Sequence, residues 1–265
     1  MASARSGGGR RRWRIPLLAV FFFLLLPIAI STLDRFVTRA YAVSWWQARS
    51  DSSGQAPDPA TTQEAVVQVY AARTWGWRGA FGVHTWIAVK PAGADSYERL
   101  EVIGWGVRRG RPAVQISRYR DPDGYWFGSK PDLLVDLRGD GVDAVIREIY
   151  DAAGRYPYPD SYRVWPGPNS NTFTAFVGRE VPALKLDLPP HAVGKDFLPH
   201  GAVIAGTPSG TGVQVSLYGL LGLMVALEEG IEINLLGLTV GVDVLAPALK
   251  LPGVGRVGWS DTTTG

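Results

Sequence analysis

Residues Ile15 to Leu33, IPLLAVFFFLLLPIAISTL, form a 19-residue stretch without a charged side chain. At 1.5 Å of rise per residue, a helix of this length approaches the ~30 Å hydrocarbon thickness of a bilayer. Arg10–Arg12 and Arg14 precede it, and Asp34 and Arg35 follow. Positive charge on one flank keeps the N-terminus inside and sends the rest of the chain across. The expected layout is a basic tail over 1–14 and a membrane-spanning helix over 15–33. Pro16 falls in the first turn, where it costs little, and Pro27 is a kink point. Trp13, Tyr41, Trp45 and Trp46 suit the membrane–water interface. The alternative is a cleaved signal peptide, for which Ala40-Tyr41-Ala42 offers a small-residue site. That site lies beyond Asp34, Arg35 and Arg39, and the apolar run is long for a signal segment. Both readings export the remainder.

About 200 residues follow the anchor and linker, enough for one domain with a full core. Gly (32) and Pro (19) are too frequent for a helical bundle and suit an α+β or β fold rich in turns. The net charge of +3 comes largely from the arginines at the membrane end, so the domain carries no basic footprint for nucleic acid. The absence of cysteine excludes disulfides, thiolate zinc sites and a thiol nucleophile.

Residues 34–63 read as a juxtamembrane segment and linker, with SDSSGQAPDPATT from Ser50 to Thr62 small and polar. From Ala65 to Ser117, short β-branched and aromatic runs alternate with Gly and Pro, the pattern of antiparallel strands. VHTWIAVK (Val83–Lys90) is the strongest of these, and LLVDL (Leu133–Leu137) is a further candidate. Val142, Val145, Ile146, Ile149 and Tyr150 recur at helical spacing, predicting a helix over 141–154 capped by Asp140 or Asp143. Pro157, Pro159, Pro166 and Pro168 forbid helix in the next stretch, and Asn171–Arg179 is helix-compatible. We expect a core over 64–212 and an apolar, β-rich extension over 213–265 packed on it. SLYGLLGLMVAL is too short to span a bilayer. Glu228, Glu229 and Glu232 suit a solvated hairpin tip or an acidic site near the membrane.

Candidate chemistry concentrates at two places. In Pro168-Asn169-Ser170-Asn171-Thr172-Phe173, Ser170 stands where a Pro/Gly loop meets a predicted helix. A helix N-terminus offers unpaired N–H groups and partial positive charge, which suits a nucleophile. Asn169 or Ser170 is equally the ordinary residue for a helix cap. His84 lies on the VHTWIAVK strand, where an isolated histidine is usually structural or simply exposed. His191, His200, Asp187 and Asp196 lie close in sequence but match no metal-ligand motif. GTPSGTG (206–212) reads as a turn. The sequence therefore implies no metal site and no cofactor.

VHTWIAVK and GPNSNTF, in that order, resemble the circularly permuted NlpC/P60 (papain-like) superfamily, in which a strand histidine precedes an Asn-Cys motif at a helix start. WGWRGAFGVHTW, PGPNSNTF, the GKD at Gly194–Asp196 and GLLGLMVALEEGIEINLLGL resemble a mainly proteobacterial membrane family, domain of unknown function 3750. The first resemblance implies an antiparallel sheet or half-barrel packed on helices. Ser170 would be the nucleophile, His84 the base and Glu101 the orienting residue, with Asn169, Asn171, Thr172 and Trp86 binding substrate. Ser170 replaces the family's cysteine, and a hydroxyl is a far weaker nucleophile than a thiolate at neutral pH. The implied role is a hydrolase or acyl/amide transferase acting on envelope peptide or lipid. The other is an inactive lipid- or peptide-binding module. The second resemblance implies a bacterial inner-membrane protein, single-pass, with its domain in the periplasm. The expected partners are membrane lipid at the N-terminal helix and envelope peptide or lipid at the site, with no nucleic acid.

Overall fold

The computed structural model describes residues 14–39, 44 and 46–259. The residues expected at the interface at 13, 41 and 45, the Arg10–Arg12 tail and the Ala40-Tyr41-Ala42 site lie outside these. The chain combines helices with two antiparallel sheets, behind one apolar N-terminal helix.

That helix, α1, runs through Arg14–Val20, a π-helical stretch Phe21–Leu25, and Leu26–Arg39. Pro27 has no N–H for the carbonyl four residues back, and the widened turn just before it accommodates the proline ring. Leu18–Thr38 is long and apolar enough to cross a membrane, and Leu18, Phe22, Leu25 and Leu33 are all more than half exposed. The other side of α1 meets the domain. Arg73 Nη1 lies 3.5 Å from Ser31 Oγ, and Arg35 Nη2 donates to Thr74 O at 3.2 Å.

The first sheet holds β1 (Val66–Arg73), β2 (Val83–Lys90), β3 (Glu98–Val102), β4 (Val114–Ser117) and β5 (Asp132–Arg138), in the order β4-β3-β2-β1-β5. One face carries α2 (Val142–Arg155) and α3 (Ser170–Glu180). The expected helix over 141–154 is thus present. Gly141, at φ +84°, occupies the cap expected for an aspartate, and the helix runs through Gly154 to Arg155. Beneath the helices, Val69, Ile87 and Leu100 of the strands pack with Ile149 and Phe173. The opposite face buries Tyr70, Trp86 and Trp126. Covered on both sides, β2 is buried along its whole length.

The segment read as a linker is fastened to this second face. Asp123 accepts from Ser52 Oγ (2.8 Å), Ser53 Oγ (3.0 Å) and the Gln55 N–H (2.6 Å). Its small polar residues are what a buried carboxylate needs as donors.

The second sheet has seven strands, β6 (Ile204–Gly206), β7 (Gly212–Leu217), β8 (Leu221–Ala226), β9 (Gly230–Leu235), β10 (Leu238–Asp243), β11 (Ala248–Leu251) and β12 (Gly255–Gly258), paired in chain order. It begins with β6, before the expected boundary at 213. Its polar side chains point inward. Lys250 Nζ bonds Asp187 at 2.7 Å and Glu232 at 3.0 Å, Lys195 pairs with Glu232, and Asn234 donates to Asp196 at 2.7 Å. Glu229 is also buried and accepts from the Ser209 N–H at 2.9 Å. The solvated tip expected for these glutamates is therefore corrected: Glu232 belongs to buried polar contacts that hold the sheet to the 185–198 segment, and Glu229 to the turn at Ser209.

Candidate functional site

Alternation along β2 decides what meets what. Thr85 points toward the helices, where its hydroxyl lies 3.0 Å from Asn171 Oδ1 and 2.9 Å from Thr174 Oγ1. Side chains on a strand alternate, so His84 and Trp86 point to the other face, where their rings lie 5.7 Å apart.

On that face His84 is held by three segments. Glu101, on the neighbouring β3, lies 2.7 Å from Nε2. Trp126 stacks on the imidazole at 3.8 Å between centroids, tilted by 13°. Arg99 binds the same Glu101 oxygen at 2.8 Å and sits 3.9 Å over the Trp86 ring, and Arg120 approaches the other oxygen at 3.5 Å. Burial pushes the Glu101 carboxyl up, but the His84 hydrogen bond and the Arg99 and Arg120 charges outweigh it and hold it at about 2. Burial lowers His84, outweighing the upward pull of Glu101. The ring is therefore neutral at physiological pH. An ionised carboxylate only accepts, so Nε2 carries the proton and Nδ1 is left as an acceptor.

His84 forms part of the wall of a cavity of about 720 Å³. Trp75, Trp105, Trp126, Phe127 and Tyr162 make it strongly aromatic, and Arg78 stands at its edge. Trp105 lies parallel to Trp126 at 5.7 Å. Gly104 permits the opposite wall to close, because a Cβ there would fall 2.5 Å from the Tyr162 ring. A smaller cleft of about 280 Å³ shares Thr74, Arg78, Tyr162 and Val164 with this cavity and is bounded by Asn169, Ser170 and Asn171.

At the start of α3, Asn169 is the N-cap. Its Oδ1 accepts from the N–H groups of Asn171 (2.9 Å) and Thr172 (3.1 Å), while Thr172 Oγ1 accepts from the Asn169 N–H at 3.1 Å, completing a capping box. The Asn169 amide donates to Val164 O and Val193 O, the Asn171 amide to Val83 O and Val193 O, and Thr172 Oγ1 to Gly194 O. Gly194, at φ +99°, must be glycine here, since a Cβ would sit 2.4 Å from the Asn169 amide nitrogen. Ser170 is buried at the first helical position.

The structure thus joins His84 to Glu101 by a hydrogen bond, and places Asn169, Ser170, Asn171 and Thr172 together at the helix start. Among the described residues no hydrogen bond links Ser170 to His84. The polar groups expected to hold substrate at Asn169, Asn171 and Thr172 are engaged in holding α3 to β2 and to the 193–194 turn. Trp86 is fully buried, its indole N–H donates to Pro122 O at 2.7 Å, and it borders neither cavity. Its position two residues beyond His84 puts it in the packed interior of the sheet. Asp187 and Asp196, weighed as metal ligands, are used by Lys250 and by Gln214 and Asn234.

Arg99, Arg120 and Trp126 were not visible as site residues in the sequence. Only Arg99 carried a signal, since it stands two residues from Glu101 and therefore on the same strand face.

These features define a class: an α+β domain of antiparallel sheets with an aromatic cavity, behind one N-terminal helix long enough to span a bilayer. A family profile described as "Protein of unknown function (DUF3750)" matches residues 64–197, and the chain belongs to that family. The match ends before the second sheet begins. No curated protein and no solved structure matches the chain.

Proposed function

We propose that the domain is a membrane-tethered binding module that takes an amphiphilic ligand from the cell envelope, a lipid or an apolar peptide, into the cavity beside His84. The observation that carries this reading is the composition of that cavity. Its walls are aromatic, and they hold one neutral imidazole fixed in orientation by Glu101. Pockets of this size, mostly apolar with a few placed polar groups, suit small amphiphiles. The apolar part of the ligand lies between Trp105, Phe127 and Tyr162. A donor on its polar part meets His84 Nδ1, and an anionic group meets Arg78. The basic N-terminal flank supports placing the domain on the periplasmic side of a bacterial inner membrane. The test is titration of the full chain in detergent with a dansylated fatty acid, and separately with an apolar envelope peptide. Trp105→Ala, at the rim, weakens binding by about tenfold, in line with the loss of one large aromatic contact. Unchanged affinity in that variant, with the fold intact, sinks the reading.

The second reading is a Ser-His hydrolase or acyl transferase of NlpC/P60-like descent. It is favoured by the His84–Glu101 pair and by the order of a histidine strand followed by Asn169-Ser170 at the start of a helix packed on it. Ser170 would attack a carbonyl and Glu101 would orient the His84 ring; because His84 points to the sheet face away from α3, the serine proton would reach it only across Thr74 and Tyr162, which line both cavities. Asn169 already occupies the Asn171 and Thr172 N–H groups, so an oxyanion would depend on the Ser170 N–H. A fluorophosphonate probe that labels Ser170, and fails to label it in His84→Ala, would establish this reading. An unlabelled folded protein would remove it.

A further inference from the structure

The second sheet is inverted relative to a soluble one. Its inward positions carry Gln214, Ser216, Glu232, Asn234, Thr239, Asp243 and Lys250, all buried. Its outward positions are apolar on every strand from β7 to β12. One row of register partners crosses six strands without a polar side chain: Val213, Val225, Ile231, Val242, Leu249 and Val257. Each of the six is between 41% and 57% exposed. Leu223 and Ile233 belong to a second row, and Leu221 and Leu235 to a third. With strands about 4.8 Å apart and about 3.4 Å per residue, the first row runs roughly 24 Å across the sheet and the three rows together span roughly 14 Å along the strands. A continuous apolar plane of that extent falls in the size range of the largest patches on water-facing monomers, which are often functional. Apolar-out, polar-in alternation is the pattern of strands that face lipid.

This plane is continuous with the membrane-crossing helix. Phe21–Leu25 of α1 runs beside β10. Gly253, in the β11–β12 turn, is packed so closely on α1 that a Cβ there would lie 3.1 Å from Ser31 Cβ and 3.5 Å from Ile28 Cα. Leu25 stands nine residues before Asp34, the charge that ends the apolar run, so the sheet meets the helix at least about 14 Å inside that boundary. The interior strands have their backbone groups paired within the sheet, as hydrocarbon demands. Among the described residues, only two short edge strands of this sheet, β6 and β12, lack a second neighbour.

We infer that the outer face of the β7–β12 sheet is immersed in the acyl chains of the same membrane that α1 crosses. The domain is then embedded along one face, with its cavities near the lipid surface. Leu236 and Gly237, in the turn between β9 and β10, and Leu238 at the start of β10 also border the cleft beside Ser170.

The chain has no cysteine, so single-cysteine nitroxide labels report cleanly. Labels at Val225 and Ile233 are compared with Leu25 on α1 and Arg118 on the water-facing side. The full chain is reconstituted in phosphatidylethanolamine/phosphatidylglycerol vesicles, and each variant is checked for the parent melting temperature. The expected result is oxygen access like Leu25, with nickel-chelate access several-fold below Arg118. Nickel access equal to that of Arg118 at both sites overturns the inference. Loss of access to both reagents with spin–spin broadening also overturns it, because a second copy of the chain, rather than lipid, would then cover the face.

Discussion

Glu101→Gln tests the electrostatic heart of the site. The carboxylate is fully buried and serves His84 at 2.7 Å, Arg99 at 2.8 Å and Arg120 at 3.5 Å. Glutamine keeps the shape and one acceptor but removes the charge, leaving the buried Arg99 without its anion. Breaking one partner of a buried pair costs about 3–5 kcal/mol, and the retained acceptor places this case near 3. Proton linkage gives a similar figure. The carboxyl falls from 4.5 to about 2 on folding, and at about 1.4 kcal/mol per pH unit that gap corresponds to roughly 3 kcal/mol. The sign follows from the depressed value. The contribution is complete above pH 4.5 and is lost as pH falls toward 2. For a domain of this size, a loss near 3 kcal/mol lowers the melting temperature by about 6–12 °C. The assay is thermal unfolding in detergent at pH 7, repeated down to pH 3. Glu101→Gln should melt lower at pH 7, and its stability should decline less than the parent's between pH 4.5 and 3. A loss under about 1 kcal/mol in a folded variant would mean that Glu101 is solvated like a surface pair, and the reasoning would fail.

Other outcomes follow from the same contacts. Burial lowers His84 below its usual 6.5, so the unfolded state binds the proton first and stability falls as pH drops below 6.5. His84→Gln should remove up to about 2 kcal/mol of the loss between pH 6.5 and 5, seen as a shallower fall in urea midpoint. The buried His191, lowered to about 3, keeps part of that slope. Asn169→Ala deletes the α3 cap and leaves buried N–H groups unpaired, which should cost about 2 kcal/mol or more; differential scanning calorimetry reads it. Ser170→Ala should change stability by less than about 0.5 kcal/mol, because among the described residues no hydrogen bond involves its hydroxyl. A large destabilisation there would point to a structural role not seen here.

Much of the frame was legible because it rests on local rules. The charge-free run at Ile15–Leu33 announced α1, the spacing from Val142 to Tyr150 announced α2, and Asn169 before an apolar face announced α3. Local rules do not say which face of a strand meets which helix. Thr85 bonds Asn171 and Thr174, and that contact turns His84 away from α3. Only tertiary packing could reveal it. The C-terminal strands show the complementary failure. VQVSL and IEINL alternate plainly, but alternation alone does not tell which side faces the protein. The assumption that polar residues face water put Glu229 and Glu232 outside, whereas Lys195, Lys250 and Ser209 hold them inside. Arg99, Arg120 and Trp126 converge on His84 from separate segments, and no spacing rule links them.

The central claim is that an amphiphile enters the aromatic cavity beside His84. The most direct measurement is photolabelling of the full chain in vesicles with a diazirine fatty acid, followed by peptide mapping. The account predicts adducts on the peptides carrying Trp105, Trp126–Phe127 and Tyr162, reduced by an excess of unlabelled fatty acid. Adducts confined to α1 and the outer face of the second sheet, with the cavity residues unmodified, would contradict it.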